Sequence, residues 1–323
     1  MTGTNKILVV TEPGSAAWSQ APMPEPREEE VMIRVEAIST CPHWDIRIFS
    51  GIPMFESRPL TYPYIPGEPG HEACGIVEAT GSKVTEFRVG DRVVMWRDPG
   101  GRRQGCYARY VAVDQDHLLK PVGTMPPEKL APLELAMCVQ VSFDQLETID
   151  AVKNKHVLVG GLGPAGLIAV QMARAYGARK VTGTDLEPAR RQLGLAAGAD
   201  SAIHPDELPE LADSEYETGL DTTGLAVAIN QMIGCTRNAV AVFGVMRERI
   251  GFGPEHWWGG FTLMGYGEHN KSAAKRALEL VEKDRIDLSL LISKELPLSA
   301  YAEGVSLLKQ KKAIKILFNP WIE

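Results

Sequence analysis

The chain has 323 residues, 44% of them hydrophobic and 23% charged, with a formal net charge of −7. That length allows about two domains with sizeable cores. The acidic balance argues against nucleic acid or another polyanion as partner, and no run reaches the ~18 apolar residues of a membrane span. The one basic run, Lys309-Gln310-Lys311-Lys312, reads as the solvated face of a C-terminal helix. The apolar stretch at 7–10 is too short for a secretory signal. The cysteines at 41, 74, 106, 138 and 235 are scattered and odd in number, which suits reduced thiols in a cytoplasmic protein.

Residues 5–120 read as β-rich. Strands are expected at 7–10, 31–38, 75–80 and 105–113, with a turn at 89–91 entering another strand and a Pro-rich connector at 21–26. Short strands joined by Gly-containing turns suggest a barrel or sandwich. Helical spacing begins at Pro127. From His156 onward strands alternate with helices: strands at 157–159, 180–185, 219–221, 239–245 and 261–264, helices at 165–176 and 187–197. That βαβ rhythm predicts a parallel, doubly wound sheet. An amphipathic helix over 272–283 and a closing strand over 314–318 complete the chain.

The first chemical motif is Gly161-Leu162-Gly163-Pro164-Ala165-Gly166, which follows an apolar strand and opens a helix. Gly161 permits the tight turn, Gly163 lets the backbone approach a pyrophosphate, and Gly166 lets helix pack on strand. Pro164 and Ala165 begin the helix, whose free N–H groups and positive dipole end suit phosphates. Asp185, at the end of the next strand, is placed to accept hydrogen bonds from the ribose hydroxyls of NAD. Arg190 and Arg191 follow it and are the side chains that could instead meet a 2′-phosphate.

The second motif is Gly70-His71-Glu72-Ala73-Cys74-Gly75. Together with Cys41 upstream and Cys138 downstream it supplies Cys, His and Cys, a donor set suited to a catalytic zinc with one open position. Such a zinc acidifies an alcohol hydroxyl, so that hydride can pass to a nicotinamide. Taken singly, Cys41 and Cys138 read equally as small buried hydrophobes and His71 as a satisfied histidine.

The stretch from Gly70 to Gly75, with Gly81 after it, resembles the zinc-containing signature of the medium-chain dehydrogenase/reductase superfamily. Cys41, Cys138-Val139-Gln140-Val141-Ser142, the glycine motif with Asp185, and the ending Lys312-Ala313-Ile314-Lys315-Ile316-Leu317 are similar to further family positions, so the resemblance spans nearly the whole chain. It implies an α/β fold: a GroES-like β-barrel catalytic domain over 1–136 and 272–323, split around a Rossmann NAD-binding domain over 137–271, with the active site in the cleft. It implies Cys41, His71 and Cys138 as zinc ligands. Glu72 is a fourth ligand or a partner behind the ligands, and Glu134 is a rival to Cys138. It also implies a homodimer or homotetramer acting on a small alcohol or carbonyl compound.

The chain departs from that pattern in two places. The stretch 98–105 lacks the four-cysteine cluster that holds a structural zinc in many members, so a single catalytic zinc is expected. His43 stands where the family usually has Ser or Thr, making it a candidate proton relay. Asp45 is a candidate to orient His71 through its second ring nitrogen. The aromatics of the 52–64 loop, Trp96, and Trp257 with Trp258 are candidates to wall the substrate pocket. The expected function is zinc-dependent transfer of hydride between a secondary alcohol, polyol or cyclitol and NAD. The alternatives are a zinc-free NAD(P)H enone or quinone reductase, an NAD-using enzyme with no net redox change, and a non-catalytic NAD-binding protein.

Overall fold

The computed structural model describes residues 4–55, 59–98 and 103–322. In chain order its elements are β1 (Thr4–Glu12), β2 (Ser15–Pro22), β3 (Glu30–Ser39), α1 (Pro42–Phe49), β4 (Glu72–Thr80), β5 (Arg92–Met95), β6 (Tyr110–Asp114), β7 (Leu118–Leu119), α2 (Pro127–Leu130) and α3 (Leu133–Glu147). There follow β8 (His156–Gly160), α4 (Pro164–Ala175), β9 (Lys180–Thr184), α5 (Pro188–Ala196), β10 (Ser201–Ile203), β11 (Thr218–Asp221), α6 (Ala226–Ile233), β12 (Ala239–Val242), β13 (Thr262–Met264) and α7 (Lys271–Glu282). The chain closes with β14 (Ile292–Pro297), α8 (Tyr301–Lys309) and β15 (Lys315–Asn319). These form two compact units, one built from the chain through Leu135 together with Leu288 onward, the other from Ala136–Asp287.

The first unit contains the β1–β2 hairpin and a seven-stranded sheet ordered β14-β15-β3-β4-β5-β7, with β6 on β3. The centre is β3, an apolar run whose Val31, Ile33, Val35 and Ile38 are all buried. It pairs antiparallel with β4, which starts at Glu72 and thereby fixes the end of the His71 motif against Ser39. The closing strand β15 pairs with the same end of β3, Leu317 opposite Ser39. Residues from both ends of the sequence thus meet where β4 begins.

Two differences from the sequence reading have local causes. Strand β2, Ser-Ala-Ala-Trp-Ser-Gln-Ala-Pro, carries little apolar alternation and owes its extension to the ladder with β1. The expected strand over 105–113 is regular only from Tyr110. Its first part is instead bound to the turn before His71, through Gly105 N–H to Pro66 O (3.0 Å), Cys106 N–H to Gly70 O (2.8 Å) and Tyr107 N–H to Gly67 O (3.0 Å). The backbones approach so closely that a Cβ on Gly67 would lie 2.2 Å from Gly105 O.

The second unit is a six-stranded parallel sheet ordered β10-β9-β8-β11-β12-β13. The order reverses between β8 and β11, the crevice where open α/β sheets bind ligands. Residues 272–287 pack here rather than with the first unit. The reason is the apolar face of α7, where Ala273, Ala274, Ala277, Leu278 and Val281 are buried, and the bond from Asp287 N–H to Gln171 Oε1 at 2.6 Å. Among the described residues no helix is long and apolar enough to cross a membrane.

Candidate metal centre and dinucleotide site

In the first unit, donor atoms of Cys41, His71 and Glu72 all lie within 4.8 Å of one another. Cys41 is the N-cap of α1, where Pro42 at the first helical position costs no hydrogen bond. His71 ends the pinned turn, and its Nδ1 lies 2.7 Å from Pro69 O. A carbonyl can only accept, so Nδ1 carries the hydrogen, and in the neutral ring the lone pair is on Nε2. That Nε2 lies 3.9 Å from Glu134 Oε2. Burial alone would push the imidazole down. A hydrogen bond with Cys41 and the negative charges of Cys41, Glu134 and Glu72 outweigh it and hold His71 well above its usual range. Donors that draw a proton onto an imidazole will also draw a metal cation, and one thiol, one imidazole and carboxylates fit zinc.

Glu72 is committed elsewhere. Both of its oxygens lie 2.6 Å from Lys315 Nζ, and Ser39 donates to one of them at 2.6 Å. Lys315 and Glu72 are 0% and 1% exposed at their side chains. Lys315 also donates to the Thr40 carbonyl, so the ion pair ties the start of β4 to β15 and to the segment before Cys41.

Asp45 does not orient His71 by hydrogen bonding; Pro69 O does. The Asp45 carboxylate is fully buried one turn into α1, and its Oδ1 accepts the hydroxyls of Tyr107 and Tyr301, both at 2.8 Å. Among the described residues its Oδ2 accepts no hydrogen bond. Burial pushes its carboxyl up to about 6, against the lowering pull of the two tyrosines, His71 and Lys315. Because the folded value exceeds the unfolded one, this group favours the fold below about pH 4, and that contribution is lost as pH rises through about 6. Asp45→Asn should therefore gain on the parent by up to roughly 3 kcal/mol between pH 4 and pH 8. Urea melts at the two pH values check this; a difference independent of pH contradicts it.

His43 is exposed in the first turn of α1, and the Trp44 and His71 rings meet edge to face with centroids 6.4 Å apart. Cys138 lies one turn beyond Glu134 on α3, in the second unit, its Sγ 3.4 Å from His269 Nε2. His269 was not singled out from the sequence; a lone exposed histidine 131 residues from its neighbour carries no local signal. Trp257 and Trp258 are exposed. The expectations for 56–58 in the pocket loop and for 99–102 in the cysteine-free stretch lie outside the described residues.

In the second unit the glycine motif forms the turn from β8 into α4. Gly161 has φ +84°, and a Cβ on Gly166 would fall 1.8 Å from Gly161 O, so both positions require glycine. Gly163 caps α4, with Pro164 at its first turn and Ala165 after it. Asp185 follows β9 and accepts Leu162 N–H on Oδ2 and Glu187 N–H on Oδ1, both at 2.9 Å. Arg190 Nη1 lies 3.7 Å from that Oδ2. The glycine turn and the Asp185 carboxylate are thus locked together.

Residues 27–126 match the alcohol dehydrogenase GroES-like domain, and residues 164–283 the zinc-binding dehydrogenase domain. The chain is 28% identical to an L-threonine 3-dehydrogenase of Chelativorans sp. (strain BNC1), over 99% of this chain and 100% of that protein. Its fold is similar to that of 2R,3R-butanediol dehydrogenase from Bacillus subtilis, with TM-score 0.84 and 21% identity over 98% and 99% of the two chains. It is equally similar to a short chain alcohol dehydrogenase from E. coli CFT073 complexed with NADH, with TM-score 0.84 and 20% identity over 98% and 100% of the chains. The chain is an oxidoreductase and belongs to the zinc-binding medium-chain alcohol dehydrogenase family, with a GroES-like catalytic domain and a Rossmann-type domain.

Proposed function

We propose that the protein oxidises a secondary alcohol with NAD at a single zinc held by Cys41, His71 and Glu134. The observation that carries this reading is the orientation of His71: Nδ1–H is spent on Pro69 O, and Nε2 faces an anionic donor set. Zinc, when bound, supplies a Lewis acid that makes the alcohol hydroxyl acidic, and NAD accepts the hydride. Cys41 and Glu134 supply the negative charges that offset the cation. Glu134 is preferred over Cys138 because its carboxylate is 3.9 Å from His71 Nε2. Lys315 holds Glu72 behind the ligands. His43 takes the hydroxyl proton toward solvent, a role its exposed place in α1 supports.

NAD is preferred over NADP because Asp185 presents a carboxylate beside the glycine turn, where a 2′-phosphate would be repelled. Arg190 is the residue through which a phosphate could be tolerated. The catalytic part is proposed to comprise 1–136 with the chain's end and the cofactor part the central segment, in a cytoplasmic homodimer or homotetramer; free thiols support that compartment. The test is elemental analysis for zinc on protein prepared without chelators, followed by NAD and NADP reduction over a panel of secondary alcohols, polyols and cyclitols. About one zinc per chain with alcohol-dependent NADH formation is expected. Zinc-free protein that reduces enones with NADPH would overturn the proposal.

A further inference from the structure

The carboxyl end of β11 carries an acid that neither the metal centre nor the glycine motif uses. Asp221 is wholly buried, and among the described residues it forms no ion pair. Its charge is met by donors of the two loops that follow β11 and β12. Oδ1 accepts the Thr223 N–H at 3.1 Å and the Thr223 hydroxyl at 2.6 Å, and Oδ2 accepts the Gly224 N–H at 2.9 Å. Burial pushes the carboxyl up, against the pull of the Thr223 hydroxyl and of the Gly224, Thr223 and Gly244 N–H groups. The Asp221 carbonyl accepts Phe243 N–H at 2.9 Å and Gly244 N–H at 3.2 Å. One residue thus ties both loops, and they touch: a Cβ on Gly244 would fall 2.0 Å from Gly224 N.

These loops border the crevice where the strand order reverses, between β8 and β11. The first of them also meets the glycine turn. A Cβ on Gly161 would lie 2.8 Å from Thr223 Cγ2. Thr222 is held there by bonds of its own: its N–H to Gly160 O at 2.8 Å, and its hydroxyl to Gly160 O at 2.9 Å and Gly161 O at 3.0 Å. Farther along the two loops, Leu225, Val245 and Met246 are large apolar side chains left exposed. Exposed apolar groups beside a crevice suit the cover of a ligand ring.

We propose that Asp221 is a positioning residue for the nicotinamide half of the cofactor: buried out of the cofactor's reach, it fixes the 222–225 and 243–246 loops as one wall of the crevice. The inference rests on the dinucleotide reading of this crevice, and on neither the metal nor the alcohol. With the adenine ribose at Asp185, after β9, the pyrophosphate crosses the glycine turn and the nicotinamide ring comes over the carboxyl ends of β11 and β12. The tie needs a carboxylate because donors approach both oxygens; an amide turns its NH2 toward one set of them. The loops then part, and the cofactor must order them as it binds. The adenosine side keeps its frame, because Thr222 holds the glycine turn without Asp221.

The experiment is calorimetric titration of the full chain with NADH, or NADPH where the parent binds it more tightly, and with ADP, which lacks the nicotinamide half. In Asp221→Asn the Kd for the dinucleotide should rise about tenfold and that for ADP by less than about twofold. Thr223→Val keeps a methyl group against Gly161 but loses the hydroxyl that bridges Asp221 and Leu225 N–H. It should weaken the dinucleotide about threefold and spare ADP, while Thr223→Ser, which keeps the hydroxyl, stays within about twofold of the parent. A general loss of structure weakens both ligands together, so equal losses for dinucleotide and ADP overturn the inference, as does unchanged binding of both. Should Asp221→Asn not fold, the two Thr223 variants decide alone by the same pattern. A parent that binds neither NADH nor NADPH refutes the dinucleotide reading itself, and the inference falls with it.

Discussion

Lys315→Met is expected to destabilise the protein by about 3–5 kcal/mol, the cost of leaving a buried charge without its partner. The Lys315 side chain is wholly inaccessible, and its ammonium contacts both oxygens of an equally buried Glu72 at 2.6 Å. Without it, Glu72 keeps only the Ser39 hydroxyl, and the Thr40 carbonyl loses its donor. Methionine fills much the same volume, so the loss reports charge rather than a cavity. Removing both partners should be far milder, because a buried ion pair returns little more than it costs to desolvate. Glu72→Met combined with Lys315→Met should recover most of the single-variant loss in urea denaturation. A single variant within about 1 kcal/mol of the parent would mean that water reaches this pair and that Glu72 is free to move.

The Lys315–Glu72 pair also shows where sequence reasoning stops. The glycine motif, Asp185, and the neighbouring His71 and Glu72 were legible because their chemistry is local: a turn, a strand end, a helix start. That the sheet is parallel and doubly wound followed from the βαβ rhythm for the same reason. What could not be read is which distant side chain answers each buried group. Glu72 meets Lys315 across 243 residues, and Asp45 meets Tyr107 and Tyr301 across 62 and 256. The expectation for Asp45 followed from the need of a ligand histidine for a partner on its second ring nitrogen. The partner is instead the Pro69 carbonyl, set by the turn that Gly67 and Gly70 make against 105–107. Backbone carbonyls leave no mark in a sequence, so orienting contacts of this kind are found only once the chain is folded.

The choice between Glu134 and Cys138 turns on a single helical turn of α3, and the two residues answer differently to substitution. His71→Asn should abolish stoichiometric zinc and lower kcat/KM by roughly a thousandfold or more, about 4 kcal/mol of transition-state stabilisation. Glu134→Gln should do nearly the same, since an amide brings no negative charge to a site that must offset a dication. Cys138→Ser should keep zinc near one per chain and lose less than about tenfold, because its observed neighbour is His269 rather than His71. Metal content after dialysis against a weak chelator is the decisive readout, as it separates loss of the ion from loss of chemistry. The reverse pattern, with zinc retained in Glu134→Gln and lost in Cys138→Ser, would move the third ligand one turn along α3. The charge balance would survive that exchange, since a thiolate and a carboxylate each contribute one negative charge. The geometry would change, because the metal would then sit one helical turn away from the carboxylate that lies 3.9 Å from His71 Nε2.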